Sequence, residues 1–490
     1  MNIVYLGAPI TVNLSVGQTI AIATTGTVTV ECVSGLGLTA GATIGSIHGS
    51  ATYGPFSAVG VARITATVRD GAYEVSDGQP IPIDTALAAS GQTVLDAASR
   101  AALAYSQVQT NLAMVNWKRS NTLQIRAALA GAASNDFRSR FLFVPDSMMA
   151  GTQSANNGLV GARAKGWIRQ LAAMLTAAGY QADENWSMGT GGNGTLATIS
   201  TYDPRITFGS ATTLNVAYPG MAGGHWATGT DAVNGWVKHT AIKAFDTVDL
   251  LYMRATGTGS LKVQDQAATV VNAAFSTTGG NSAQEASFTF AANSTAAQFT
   301  TTGTNCMIAG IGTRNAASPG IEMLNAGISG INLAYETVNP ATGNNFAGPQ
   351  IAMPALLGSS TKNVVFTGGG YNDINSFGQT LEQTKTILRN HLTFLKSIAS
   401  APDIVWMGYP RFATGPGGMD PDLFADSLQN IAVNEFDIPA IDQRKVQEPA
   451  ATAIALGLMN ADGLHYRAGG QANMAKMVFD ALMFSRSMGY

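Results

Sequence analysis

A chain of 490 residues is longer than one hydrophobic core usually organises, so two to four domains are expected. Apolar residues make up 46% but charged residues only 12%, and Lys+Arg 27 against Asp+Glu 30 gives a net charge of -3 without a basic run. This balance argues against charge-driven disorder and against nucleic acid as a partner. No stretch reaches the roughly 18 uninterrupted apolar residues of a bilayer span, so no membrane partner is expected, and "MNIVYLGAPITV" lacks the basic segment of a secretory signal. Cys32 and Cys306 form no paired or metal-type spacing, which leaves them as buried free thiols rather than a disulfide framework or zinc knot.

Residues 1–85 read as an antiparallel β module for attachment or assembly. Val12, Leu14 and Val16 alternate on one face, followed by Ile20 and Ile22, then Val28, Val30 and Cys32. In "ITATVRDGAYEV" the Asp70-Gly71 pair predicts a hairpin turn between Val68 and the Tyr73/Val75 face. Across residues 86–135 the period becomes helical. Val94, Ala98, Ala101, Tyr105, Val108, Leu112 and Val115 step alternately by four and three, the seam of either an amphipathic helix or a short parallel coiled coil that makes a homo-oligomer, a trimer above all.

An α/β domain is expected over 136–200 and 316–490. "RFLFV", "NVVFTGG" and "DIVWMGYP" are continuous apolar strands of the kind buried on both faces of a parallel sheet, and "ARAKGWIRQLAAMLTAAG" supplies a helix stopped by Gly179. The interruption, 201–315, alternates with period two throughout (Val248, Leu250, Tyr252; Leu261, Val263) and predicts an inserted β-sandwich resembling a carbohydrate-binding module. Trp186, His225, Trp226 and Trp236 are candidates for stacking on sugar rings, with burial in the core as the competing reading.

Serine hydrolysis needs a base, and the five histidines are His48, His225, His239, His391 and His465. His465 closes "ADGLHYRAGG" with Asp462 three residues ahead across a glycine, so one turn can bring a carboxylate to Nδ1 and leave Nε2 as base. Ser147 in "FLFVPDSMMAG" directly follows an apolar strand, at the carboxyl end where open α/β sheets bind ligands. "NAGISG", ending in Gly330, and "FTGGGYND", with Asn372, fall at further strand ends. A glycine N–H and an asparagine amide suit a developing oxyanion there.

In this order "PDSMMAG", "NAGISG", "GYND" and "DGLHYRAGG" resemble the four blocks of the SGNH (GDSL-type) hydrolases. The resemblance implies Ser147 as nucleophile, His465 as general base, Asp462 as its orienting carboxylate, and an oxyanion hole from the N–H groups of Ser147 and Gly330 with the Asn372 amide. It also implies a flavodoxin-like three-layer domain, no metal or cofactor, and esterase, lipase or carbohydrate O-deacetylase activity. Pro145 stands where the family has glycine, which fixes φ and removes an N–H at the nucleophile turn. The stretch from Ser147 to Gly330 is several times what the family needs, and the inserted β domain accounts for the excess.

A β module, a heptad seam and an esterase on one chain look like a bacteriophage tail fibre or tailspike. That setting implies a virion location, an acylated polysaccharide substrate on the host surface, and contacts to other tail proteins through the N-terminal module. The rival readings are a cellular, extracellular carbohydrate esterase and an adhesive appendage that binds glycan without turnover.

Overall fold

The structure is a computed structural model that describes residues 2–4, 9–16, 18–53, 56–66, 71–76, 113–152, 154, 161–188, 195–215, 225–280, 282–336, 348–358, 360 and 362–487. It divides into two compact units, Met1–Val108 and Gln109–Tyr490.

In the first unit the long strand Thr19–Gly35 organises a six-stranded antiparallel sheet. Alternation buries Val12, Leu14, Ile20, Ile22, Val28, Val30, Cys32 and Ile64 in one apolar core. The expected hairpin around Asp70-Gly71 is not formed by its flanking segments. Gly60–Ala66 pairs with residues 28–35 and Gly71–Ser76 with residues 19–24 of the same strand, so the two run on along Thr19–Gly35 instead of pairing with each other. A 17-residue strand is long enough to take both, and ladder pairing outweighs the local turn signal.

Most of the heptad seam, residues 94–112, lies outside the described residues. Its last member, Val115, belongs to the strand Met114–Val115, which pairs antiparallel with Ala440–Ile441 and so joins the second unit. The helix Leu123–Ser134 also packs on that unit's sheet. The α/β domain therefore begins before residue 136.

Its sheet places Ser139–Val144 between Ile321–Asn325 and Lys362–Thr367, followed by Asp403–Met407 and Ala440–Ile441, all parallel. Numbered along the chain these five strands run 2-1-3-4-5, the flavodoxin-like order, and the reversal falls beside Ser139–Val144. All six residues of that strand are buried, as expected of a strand covered on both faces. Trp167–Ala177 and Leu123–Ser134 pack against the C-terminal helix Ala468–Ser487, while Leu381–Ser397 packs against Pro421–Asn430. Among the described residues no helix is long and apolar enough to cross a membrane.

The insertion is one nine-stranded antiparallel sheet rather than two separate ones, and it starts earlier than residue 201, at Trp186–Ser187. Its long strands Trp236–Arg254 and Ser282–Thr301 lose register between Thr240 and Thr247, a bulge of the kind that bends a sheet. Val248, Leu250, Phe288 and Phe299 fill a core of its own, whereas Leu251, Met253, Ala283 and Met307 join the core of the α/β domain.

Candidate active site

The nucleophile turn follows from Ser139–Val144. The chain leaves this strand through a cis Val144–Pro145 bond, and Asp146 caps the short helix Ser147–Ala150 by accepting from the N–H groups of Met148 (2.9 Å) and Met149 (3.4 Å). Block two lies against it. The N–H of Ile328 donates to the Pro145 carbonyl at 2.6 Å, and a Cβ on Gly327 would meet the Ala150 nitrogen at 2.2 Å, so only glycine allows this approach.

Asp462 and His465 sit on a tight loop closed by Asn460, whose N–H donates to the His465 carbonyl at 2.8 Å. Gly463 takes φ 66°, and a Cβ there would lie 2.4 Å from that of Ala413. The left-handed turn lets Asp462 Oδ1 accept from the N–H groups of Leu464 and His465, each at 3.0 Å, while Oδ2 faces His465 Nδ1 at 2.8 Å. With Nδ1 donating to the carboxylate, Nε2 is the basic nitrogen, and it lies 2.9 Å from Ser147 Oγ. Burial pushes the Asp462 carboxyl up, but the hydrogen bond with His465 and the two backbone N–H groups outweigh it and hold it at about 2. The carboxylate is thus ionised throughout the neutral range.

Asn372, in the short helix Tyr371–Asn375, and Gly330, in a turn, follow the carboxyl ends of Lys362–Thr367 and Ile321–Asn325. One N–H of the Asn372 amide donates to the Ile331 carbonyl at 2.8 Å, which fixes the side chain against block two and leaves its second N–H to serve an acceptor. Asp373 ties the same pieces together from below by accepting from the Leu333 N–H at 2.9 Å; burial raises its carboxyl to about 6. The structure therefore joins Ser147, His465 and Asp462 by hydrogen bonds and sets Asn372 beside the Gly330–Ile331 turn.

Two of the four sugar-stacking candidates are core residues instead. Trp186 and Trp226 are 0% and 1% exposed. Trp186 lies under the Arg140 guanidinium (4.9 Å to the ring centroid) and donates to Glu322, and Trp226 packs edge-on against Phe208, so neither ring has a face for a sugar. Trp236 is half-buried in the insertion, close against Gly209. The backbone of His225 belongs to the strand His225–Ala227, and its side chain lies outside the described residues.

Two tyrosines at the site carry no motif that marks them. The Tyr409 hydroxyl donates to Asp146 Oδ2 at 2.7 Å and accepts from the N–H of Tyr371 at 3.2 Å. Tyr202, at the root of the insertion, donates to the Ala150 carbonyl at 2.5 Å and accepts from the Asn325 amide at 3.1 Å. Only the Asp before Ser147, a preferred helix N-cap, was a local signal for this support.

Fold and site together define a flavodoxin-like α/β domain that carries a hydrogen-bonded Ser–His–Asp chain and an inserted antiparallel β region. No family model matches the sequence, and no curated protein matches it. Among solved structures the chain is similar to a peptidoglycan O-acetylesterase at 16% identity and a TM-score of 0.57, over 76% of this chain and 99% of that one. It is also similar to an acetylxylan esterase from Geobacillus stearothermophilus (18% identity, TM-score 0.24, 33% and 73% covered) and to a family two carbohydrate esterase from Clostridium thermocellum (11%, 0.23, 56% and 97%). The first likeness establishes a shared fold over most of the chain.

Proposed function

We propose that the protein is a serine esterase that removes small acyl groups, acetyl above all, from a polysaccharide. The observation that carries this reading is the continuous hydrogen-bond chain Ser147 Oγ–His465 Nε2 and His465 Nδ1–Asp462. His465 takes the Oγ proton as Oγ bonds to the ester carbonyl carbon. The carbonyl oxygen becomes an oxyanion that accepts from the N–H groups of Ser147 and Gly330 and from the Asn372 amide. Collapse breaks the bond to the sugar oxygen, which leaves with the proton from His465. Water then repeats the sequence on the acyl-enzyme, releasing acetate and restoring Ser147. Asp462, already ionised, stabilises the imidazolium in both halves.

A polysaccharide substrate is supported by the β region that packs onto the hydrolase core, and by the fold shared with an enzyme described as acting on peptidoglycan O-acetyl groups. The setting that fits the whole chain is a phage tail fibre or tailspike in the virion. Its N-terminal β sheet would attach to other tail proteins and its heptad seam would hold a homotrimer. This reading is supported by the separateness of the N-terminal unit and its all-apolar core. Sedimentation of the full chain as a monomer would remove the trimer.

The test is hydrolysis of p-nitrophenyl acetate and p-nitrophenyl octanoate by the wild type and by Ser147→Ala. Acetate turnover exceeding octanoate turnover, and reduced about 10⁴-fold or more in the variant, is the expected result. Equal rates in wild type and variant, both folded, overturn the assignment. Acetylated capsule, O-antigen and peptidoglycan then form the panel for the natural glycan, read by acetate release.

A further inference from the structure

Block two connects the nucleophile turn to the oxyanion amide through the Ile328 N–H on the Pro145 carbonyl and the Ile331 carbonyl that Asn372 bonds, but it leaves a gap between Asp146 and the helix Tyr371–Asn375. One hydroxyl spans that gap. Tyr409 follows the strand Asp403–Met407 and is 4% exposed. Its O–H donates to Asp146 Oδ2, the residue immediately before Ser147, and its oxygen accepts from the N–H of Tyr371, the residue immediately before Asn372. A phenol has one proton to donate and lone pairs to accept, so a single atom serves both contacts.

The Asp146 end is equally specific. Its other oxygen, Oδ1, caps the turn that begins with Ser147, so the carboxyl links the helix N-terminus to Tyr409. Burial raises the Asp146 carboxyl, which makes each remaining donor to it more consequential. Around the phenol, Phe412 (4.9 Å between centroids), Phe424 (5.8 Å) and Tyr371 (6.4 Å) pack against the ring independently of the hydroxyl.

We propose that the Tyr409 hydroxyl is a positioning group that registers the nucleophile turn against the oxyanion loop through Asp146 and the Tyr371 backbone. The inference rests on the esterase reading for its catalytic consequence, but not for its geometry. Because oxyanion stabilisation depends on donors held close to their final positions, loosening this register lowers the transition-state interaction more than substrate binding.

The decisive variant is Tyr409→Phe, which keeps the aromatic packing and removes only the oxygen. With p-nitrophenyl acetate the expected result is a kcat reduced about 10- to 100-fold at a KM within about twofold of wild type. Asp146→Asn and the double variant complete a cycle. If Tyr409 acts through Asp146, the double variant is close to Asp146→Asn alone, and independent multiplication of the two losses overturns the proposal. So does a folded Tyr409→Phe enzyme of unchanged kcat, or one changed only in KM. If the wild type turns over no ester, the esterase reading fails, and the register is judged without turnover. In protein labelled with ¹⁵N at serine and asparagine, the Ser147 backbone amide and the Asn372 side-chain amide are expected to shift in Tyr409→Phe, and resonances that stay in place end the proposal.

Discussion

In the N-terminal sheet Val12 and Leu14 turn inward while Thr11 and Asn13 face out, whereas in the inserted sheet every residue from Thr247 to Met253 is buried. The first pattern belongs to a sheet with one core. The second belongs to a strand serving two: Val248, Leu250 and Tyr252 point to the insertion's own core, and Leu251 and Met253 to that of the hydrolase domain. Asp249, between them, meets Arg138 (2.5 Å) and Arg314 (2.9 Å) in a buried network. Arg140, wholly buried, completes the network by bonding Glu285 and Glu322. Three guanidinium groups face three carboxylates, so the junction is charge-balanced and its ions are paired. One β region is thus a unit in its own right, and the other is part of the α/β domain's fold despite being inserted in its sequence.

The strongest way to break this comparison is to remove each region in turn. A chain beginning at Gln109 is expected to unfold cooperatively, with kcat/KM for p-nitrophenyl acetate within about twofold of the full chain, because every described residue of that unit's core lies within Gln109–Tyr490. Replacing the insertion by a short linker exposes Leu251's partners and removes Asp249 and Glu285, leaving Arg138 and Arg140 to share Glu322, so no soluble folded protein is expected. Soluble, active enzyme from the second deletion would show that the insertion is a detachable module after all.

Single ion pairs sharpen the contrast. Arg140→Ala removes a wholly buried guanidinium from Glu285 and Glu322, leaving Arg138 to face both, and is expected to cost about 3–5 kcal/mol in urea unfolding of the second unit. Arg63 and Glu31 face one another across the N-terminal sheet, but at 3.9 Å and with both side chains exposed, so Arg63→Ala is expected to change stability by no more than about 1 kcal/mol. Trp186→Ala belongs with the first of these. Its ring fills the junction, and the expected loss is about 3–5 kcal/mol of stability, with KM for acetylated glycan in the folded fraction unaltered. A raised KM at unchanged stability would restore the sugar-stacking role.

The catalytic motifs were legible because each is local. Asp462 reaches His465 through one glycine turn, and Asp146, Ser147 and Asn372 sit where apolar strands end. Residues whose environment is built by distant chain were not. Whether Trp186 stacks on sugar or hides is decided by Arg140 and Glu322, and the residues next to it in the chain carry no trace of either. The Asp70-Gly71 signal was sound as local turn chemistry, but the length of Thr19–Gly35 decided the pairing. Val115 matched a seven-residue spacing and yet became a strand because Ala440 offered it a ladder. Tyr409 meets Asp146 across 263 residues, a separation at which spacing says nothing.

Acid separates the two regions by sign as well as size. Among the described residues of the N-terminal sheet no buried side chain is polar or charged, so its stability is expected to be nearly flat between pH 3 and 7. In the catalytic unit, burial raises Asp373 and Asp403 from 3.8 to about 6. A raised folded pKa gives stability that is full below the unfolded value and lost as pH rises through the folded one, so both carboxyls favour the folded state more at pH 4 than at pH 7. Glu322 has the opposite sign. Burial pushes it up, but Arg138 and Arg140 outweigh that and hold it at about 2 against an ordinary 4.5, so its contribution is full above 4.5 and disappears as pH falls through 2. Asp462, also held at about 2, behaves alike. The catalytic unit is therefore expected to gain stability from pH 7 to between about 4 and 5 and to lose it below, each of the buried groups contributing on the order of 2–3 kcal/mol. Calorimetry of the full chain across that range should show one transition that moves through a maximum and one that hardly moves, and Asp373→Asn should flatten the rise between pH 7 and 5 while leaving the acid fall intact. A catalytic transition that declines steadily from pH 7 downward would mean that the paired carboxylates of the junction outweigh the buried, unpaired ones.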